Sequence, residues 1–151
     1  MNNSDPSAKP VFFTYPGQGE ALSNGFHYSQ AVRIGNRIEI SGQGGWDPAS
    51  GAIPSSLTKE IEQAFSNVEL ALQAASPDPS KKITWRQVYS ARSFNTPASL
   101  TEEGLAATAA ALKKFCGPDH RPLLTAVGTP QLALPGMNIE IEVVALVDLN
   151  N

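Results

Sequence analysis

The sequence predicts an α+β fold in which two helices cover one face of a single β-sheet and leave the opposite face bare. Strand-like and helix-like segments follow one another in the order β-β-α-β-α-β-β. Each predicted helix carries one apolar stripe, so each can pack against only one surface. The last predicted strand alternates between apolar and partly charged positions, as a strand with two different faces does. A bare, partly apolar sheet face is usually completed by a partner subunit.

The opening of the chain, Met1 to Pro10, is predicted to be a loose tail. It lacks the apolar core of a signal peptide and the arginines of a transit peptide. Residues 1–25 are therefore assigned to an N-terminal extension that is partly flexible, and residues 26–149 to one domain.

The domain is predicted to begin with a hairpin over residues 26–41. Residues 31–34 and 37–41 are strand-like, and Gly35-Asn36 between them suits a tight turn because both residues tolerate positive φ. The next segment, residues 42–51, is dense in turn-forming residues and is predicted to be a loop.

The clearest helix is predicted over residues 57–75. Ser56 suits its N-cap, and the Pro77-Asp-Pro79 segment ends it. Its apolar residues recur at helical spacing: Leu57, Ile61, Ala64, Phe65, Val68, Leu72 and Ala75.

A second helix is predicted to begin near Ser99, where Ser-Leu-Thr-Glu has the form of a capping box. It carries Leu105, Ala109 and Leu112 and ends at the Gly-Pro pair of residues 117–118.

Three further strands are predicted, over residues 85–94, 122–132 and 137–147. In the last one, Glu140 and Glu142 lie together on the face opposite the apolar positions. Burying an ionised carboxylate costs on the order of several kcal/mol unless it is paired or hydrated. The glutamate face is therefore exposed to solvent, lines a polar cavity or forms a subunit contact. Val144 and Leu146 follow on the same face, which favours a cavity or a contact.

The composition of the chain argues against several kinds of binding partner. The net charge is −3, and no basic cluster exceeds a Lys-Lys pair, which argues against nucleic acid as the main partner. The single cysteine, Cys116, excludes an internal disulfide and fits a reducing compartment. No apolar run approaches the ~18 residues of a membrane span, so we expect no membrane contact and a cytoplasmic location.

The common catalytic motifs are absent or weak. Residues 42–45 resemble a phosphate-binding loop only superficially, because the lysine and hydroxyl of GxxxxGK[ST] are missing. His27 and His120 lack the spacing of metal ligands, and His120 is expected in a solvated turn, so neither a metal nor a cofactor is predicted. Cys116 is interpreted as a packed thiol rather than a nucleophile.

Five short motifs nevertheless occur together in one order along the chain. They are Tyr28-Ser-Gln-Ala-Val32, Ile40-Ser-Gly-Gln43, Ala64-Phe-Ser-Asn-Val68, Arg121-Pro-Leu-Leu-Thr-Ala-Val-Gly128 and Ile139-Glu-Ile-Glu-Val-Val-Ala145. In this order they resemble the RidA/YjgF family, also called the L-PSP endoribonuclease family, over about residues 26–147. The resemblance implies a chorismate-mutase-like α+β fold that forms a homotrimer around a closed β core, with small-molecule clefts between subunits.

The resemblance also implies a chemistry and a set of site residues. The family hydrolyses reactive enamines and imines, such as 2-aminoacrylate, to a keto acid and ammonia. Tyr28 matches the family's cleft tyrosine, and Ser41 and Gly42 match a Ser-Gly pair that lines the pocket largely through its backbone. Glu140 matches the carboxylate that holds the attacking water.

One position departs from the family pattern. Where family deaminases read Arg-Pro-Ala-Arg-Thr, this chain has Leu124 in place of the second arginine. Leucine cannot bind a substrate carboxylate and makes that end of the cleft apolar. Arg121, Arg92 or Arg86 could replace the anchor, but nothing in the sequence places them there.

Three functions therefore remain open at the level of sequence. The first is imine or enamine deamination with a weakened or relocated carboxylate anchor. The second is a diverged, non-deaminase trimer that binds or transforms another small metabolite of a biosynthetic pathway, for example by tautomerisation or cyclisation. The third is ribonuclease activity, which the acidic charge disfavours. Trp46 is either an aromatic wall of the altered cleft or a core residue that packs its loop down.

Overall fold

The computed structural model describes residues 8–148, whose strands form one mixed sheet. The helices are α1 (Gln18–Phe26), α2 (Leu57–Ala74) and α3 (Glu102–Cys116). The strands are β1 (Val11–Phe13), β2 (Ala31–Ile34), β3 (Arg37–Ile40), β4 (Gln43–Gly44), β5 (Val88–Asn95), β6 (Leu123–Gly128) and β7 (Ile139–Leu146). The strand order is β1-β2-β3-β7-β5-β6, and β4 also pairs with β7. Only β5 and β6 run parallel among these pairs.

The predicted fold class is confirmed. Strands β2 and β3 form the predicted hairpin, with Gly35 at a φ of 60° in its turn. Helices α2 and α3 contribute to one apolar core on the same face of the sheet. Phe65 of α2 stacks on Trp85 with 4.4 Å between ring centroids and also meets Phe115 of α3. Ser56 caps α2 as predicted, since its hydroxyl accepts a hydrogen bond from the backbone of Lys59.

The N-terminal part of the chain contains two elements that were not predicted from the sequence. Strand β1 and helix α1 lie in the segment that was assigned to the N-terminal extension. Helix α1 has no side-chain N-cap and contains two glycines, so it gives a weak sequence signal. Contacts stabilise it instead: Gly19 lies so close to the Tyr15 ring that a Cβ there would sit 2.6 Å from it. Residues 1–7 of the predicted extension and residue 149 at the predicted domain end lie outside the described residues.

Several predicted element boundaries were wrong. The strand predicted from residue 85 begins at Val88, because Thr84 caps a 3-10 turn over Trp85–Gln87. Helix α3 is capped by Thr101 rather than by Ser99. The Ser99 hydroxyl donates instead to the carbonyl of Asn138, at 2.7 Å, and so ties the start of α3 to the start of β7.

Two predicted strands are shorter in the structure, and one predicted loop contains a short strand. Part of the predicted loop over residues 42–51 forms β4, which pairs with β7. The strand predicted over residues 122–132 ends at Gly128, and the one predicted over residues 137–147 spans Ile139–Leu146.

The sheet has one covered and one open face, as the alternation in β7 predicted. Ile139, Ile141, Val143 and Ala145 are buried beneath the helices. On the opposite face Leu146 is 50 % exposed. Strand registers place Phe12 and Leu123, which are 64 % and 71 % exposed, on that same open face. The open face also carries an ion pair between Arg92 and Glu142, 3.0 Å apart.

Candidate functional site

A pocket of about 190 Å³ opens where α1, the segment around β4 and the start of β7 meet. Five of the predicted site residues line it: Tyr28, Ser41, Gly42, Trp46 and Glu140. Apolar side chains that were not predicted supply the rest of its lining: Leu22 and Phe26 of α1, and Ala133, Leu134 and Met137 of the segment before β7.

Glu140 carries the charge of this pocket. It is the second residue of β7 and pairs in register with Gly44. Gly42 lies against its side chain so closely that a Cβ at position 42 would sit 2.4 Å from Glu140 Oε1. Within residues 8–148 its carboxylate has neither a hydrogen bond nor an ion pair, so it is available to water or a ligand. Burial raises the pKa of Glu140, and repulsion from Glu142 raises it further.

Tyr28 follows α1 and contributes a phenol to the same pocket. Its hydroxyl accepts a hydrogen bond from Gln30 Nε2 at 3.1 Å. Burial raises the pKa of Tyr28, the hydrogen bond from Gln30 partly offsets this rise, and the nearby charge of Glu140 adds to it.

Ser41 lines the pocket just after the end of β3. Its hydroxyl donates to the carbonyl of Ser29 at 2.7 Å. The same contact holds the end of β3 beside the segment that leads into β2.

Behind the pocket wall lies a chain of buried polar side chains, which sequence reasoning missed. Trp46 Nε1 donates to the Tyr15 hydroxyl at 3.0 Å, and that hydroxyl donates to Gln43 Oε1 at 2.7 Å. Gln43 Nε2 donates to Gln30 Oε1 at 2.8 Å, and Gln30 donates to Tyr28. Burial raises the pKa of Tyr15 to about 12. Trp46 lines the pocket and is only 2 % exposed.

Two polar side chains of α2 hold the pocket in shape. The Glu60 carboxylate accepts hydrogen bonds from the backbone and side-chain nitrogens of Asn138, at 2.6 and 2.8 Å. Asn67 Nδ2 donates to the carbonyls of Gly44 and Trp46, both at 2.8 Å. Glu60 and Asn67 lie seven residues apart, beside the apolar stripe of α2. This spacing was the one sequence signal that could have identified them.

Leu124 and Arg121 do not line this pocket within one chain. Leu124 lies in β6, the edge strand, in register with Ala91, and is 42 % exposed. Arg121 is exposed in the segment just before β6, and Arg86 is exposed in the 3-10 turn before β5. Arg92 is paired with a glutamate on the open face. No lysine or arginine lines the pocket within residues 8–148, so one chain offers no cation there for a substrate carboxylate.

The other residues considered at the sequence level have structural partners. A ring nitrogen of His120 lies 2.6 Å from the carbonyl of Val88, which corrects the prediction of a freely solvated turn. Cys116 is buried, and burial raises the pKa of its thiol. His27 ends α1 in the left-handed conformation. Across residues 8–148, no cluster of three or more His, Cys, Asp or Glu side chains could hold a metal ion. In the same range, no helix is both long and apolar enough to cross a membrane.

Comparison with known proteins places this geometry in context. Residues 19–147 match the family model described as Endoribonuclease L-PSP. A 2-iminobutanoate/2-iminopropanoate deaminase from Capra hircus is 48 % identical over 52 residues, which are 34 % of this chain and 38 % of that relative. The matched segment thus spans well under half of the curated relative.

Solved structures match over most of the chain. Protein YJGH superposes with a TM-score of 0.72 at 25 % identity, covering 93 % of this chain and 96 % of that one. An endoribonuclease L-PSP homologue from Entamoeba histolytica superposes with a TM-score of 0.70 at 20 % identity, covering 92 % of this chain and all of the other.

We expect Asn67→Ala to destabilise the protein and to weaken ligand binding in the pocket. The substitution leaves the buried carbonyls of Gly44 and Trp46 without their donor, at a cost of about 1–3 kcal/mol. Urea denaturation measures the loss. Gln63→Ala is the matched control, because Gln63 donates only to the Asn67 side chain. Equal losses in the two variants would show that Asn67 does not support the pocket.

Proposed function

Since this chain belongs to the endoribonuclease L-PSP family, the RidA/YjgF family that its motifs indicate, we propose that it hydrolyses the C=N bond of small imines. Enamines that tautomerise to such imines are substrates by the same route. The observation that carries the proposal is the Glu140 carboxylate, which lies half-buried in the pocket, with a raised pKa and no partner within residues 8–148.

The proposed reaction follows from the position of Glu140. A water molecule beside the carboxylate attacks the imine carbon, and Glu140 accepts its proton as the C–O bond forms. The same proton then passes to the nitrogen and gives a carbinolamine. Glu140 next takes the hydroxyl proton and delivers it to the nitrogen, so that the C–N bond breaks, the C=O bond forms and ammonia departs. A carboxylate with a raised pKa suits this exchange, because a base is most effective when its pKa approaches the working pH.

The lining of the pocket bears on the choice of substrate. Its walls are largely apolar and carry no cation within the described chain. Imines without a free carboxylate therefore suit this pocket better than 2-iminobutanoate and 2-iminopropanoate, the 2-imino acids in the name of the Capra hircus relative. In the same way, a phosphate backbone finds no basic partner in this pocket, which disfavours the ribonuclease alternative.

A second candidate function is favoured by Leu124. If the cleft has lost its carboxylate anchor, it binds or transforms another small metabolite, for example by tautomerisation or cyclisation. The apolar contributions of Leu22 and Phe26 support this alternative as much as they support an altered imine substrate.

We also propose that three copies of the chain form the complete cleft. The open sheet face exposes Phe12 and Leu146, which association would remove from water. The edge strand β6 would then bring Leu124 and Arg121 of one subunit toward the Glu140 pocket of its neighbour. This arrangement explains why the family's site residues lie apart within one chain.

We expect a homotrimer in solution at micromolar concentration. Gel filtration with light scattering should give three times the mass of one chain. A mass of one chain would contradict this architecture.

We expect Glu140→Gln to abolish hydrolysis while the fold and the assembly stay unchanged, because an amide cannot accept the proton of water. Ammonia release from freshly generated imines measures the rate. In the unsubstituted protein the rate should fall as the pH drops through the pKa of Glu140, which lies above that of an ordinary glutamate. Glu142→Gln is the control, since Glu142 lies on the same face but is paired with Arg92. Equal loss in both variants would indicate a structural role for the two glutamates.

Carboxylate-bearing imines should be poor substrates of this protein, and Leu124→Arg should raise the specificity constant for them. A charged bidentate contact is worth roughly 1.5–3 kcal/mol, which corresponds to about one to two decades in the specificity constant. The measurement is keto-acid release from 2-aminoacrylate. Rapid turnover before substitution would mean that another arginine, with Arg121 the first to test, supplies the anchor. No gain in a well-folded variant would favour the second candidate function.

A further inference from the structure

In the buried chain of polar side chains that ends at Tyr28, every hydrogen bond is donated in the same direction, toward Tyr28. It runs from Trp46 through Tyr15, Gln43 and Gln30 to Tyr28, and we call these five side chains the relay. Gln30 and Gln43 are fully buried, so their amides cannot exchange partners with solvent. Each hydrogen bond in the relay has one donor and one acceptor. Once the orientations of the two glutamine amides are known, the donor and the acceptor of every bond in the relay are known as well.

The direction is fixed independently at three points. The indole of Trp46 can only donate, so the Tyr15 hydroxyl must accept from it. Gln43 Nε2 lies 2.9 Å from the carbonyl of Ser41, and Gln30 Nε2 lies 3.1 Å from the carbonyl of Gly19. Backbone carbonyls only accept, so each contact requires the amide nitrogen, and not the amide oxygen, on that side.

The Tyr28 oxygen therefore accepts a hydrogen bond from the protein side of the pocket wall. Its oxygen accepts from Gln30, and within residues 8–148 its own O–H has no acceptor. The phenol lines the pocket, where that hydrogen can be donated. Glu140, the only charged group in the lining among the residues that the structure describes, accepts hydrogen bonds when ionised. The pocket thus presents a donor and an acceptor between apolar walls.

We propose that Gln30 and Gln43 are positioning residues that hold Tyr28 as a fixed hydrogen-bond donor, and that the pocket selects ligands accordingly. Such a ligand is a small planar group with a lone pair for Tyr28 and an N–H for Glu140, attached to an apolar body that packs on Leu22. Amides and N–H imines have this pattern, whereas ammonium and amidinium ions lack the lone pair. The inference rests on the proposed pocket as a ligand site but not on hydrolysis.

The direction of the relay can be tested without a ligand. Incorporation of 3-fluorotyrosine gives one ¹⁹F signal for each of the 3 tyrosines, and Tyr28→Phe assigns the signal of interest. The fluorinated phenol is more acidic than tyrosine, so it titrates under milder conditions. We expect Gln30→Met to raise the pKa of Tyr28, because the lost donor no longer stabilises the phenolate. If Gln30 instead accepted from Tyr28, the same substitution would lower that pKa. A fall or no change therefore overturns the proposal.

Ligand selection is tested with two probes of nearly equal shape, benzamide and benzamidine. A cavity of about 150 Å³ in another protein accommodates benzene, so a one-ring probe is of suitable size. Tyr28→Phe should weaken the binding of benzamide by about 3- to 10-fold, whereas the binding of benzamidine should stay unchanged or become tighter. Equal weakening of both probes overturns the proposal. This comparison requires only the Tyr28→Phe variant. It therefore decides whether Tyr28 acts as a donor to the ligand even where Gln30→Met does not fold.

The outcomes also separate this inference from the proposed function. Failure of both probes to bind the unsubstituted protein would count against the pocket as a ligand site, while the ¹⁹F titration would still decide the direction of the relay. Benzamide binding that depends on Tyr28, in a protein that releases no ammonia from any imine, would support the relay and refute hydrolysis.

Discussion

The pocket depends on hydrogen bonds that satisfy buried backbone groups where the sheet is irregular. Strand β4 has only two residues, so the sheet leaves carbonyls unpaired at the turn that follows it. Asn67 satisfies two of these carbonyls, and Glu60 satisfies the backbone nitrogen of Asn138 just before β7. An unpaired buried polar group costs about as much as a lost hydrogen bond, so these contacts constrain the backbone strongly. Helix α2 thus holds two backbone segments that border the pocket, the one at and after β4 and the one just before β7.

Strand β7 connects the site with the open face of the sheet. Its buried side chains form the core, whereas Glu140 and Glu142 lie on the other face in different surroundings. Glu142 is paired with Arg92 and half-exposed, while Glu140 lies in the pocket without a partner within residues 8–148. Two identical residues on one strand therefore have different surroundings, and burial raises the pKa of Glu140. The position of each glutamate along the strand decides whether it meets an arginine or the pocket.

The sequence predicted the elements whose signals are periodic and local. The stripe of α2, the turn at Gly35 and the alternation in β7 were all read correctly, because each follows from the spacing of side chains on a regular backbone. Helix α1 was missed, because it forms through contacts with Tyr15 rather than through capping or propensity. The pocket residues carried by motifs were predicted, but the apolar wall from α1 and the relay behind it were not. Such groups come together only through tertiary packing, which spacing along one chain does not reveal.

The edge strand β6 has a consequence for solubility. Its six residues, Leu-Leu-Thr-Ala-Val-Gly, contain no charge and no proline, and every one of them is exposed in the single chain. Uncharged edge strands of high β propensity are templates for strand-to-strand aggregation, and proteins commonly protect them with a charged gatekeeper. An arginine at position 124 would provide that protection, which Leu124 does not. Without a charged residue on this edge, the single chain is open to strand-to-strand aggregation wherever β6 stays uncovered.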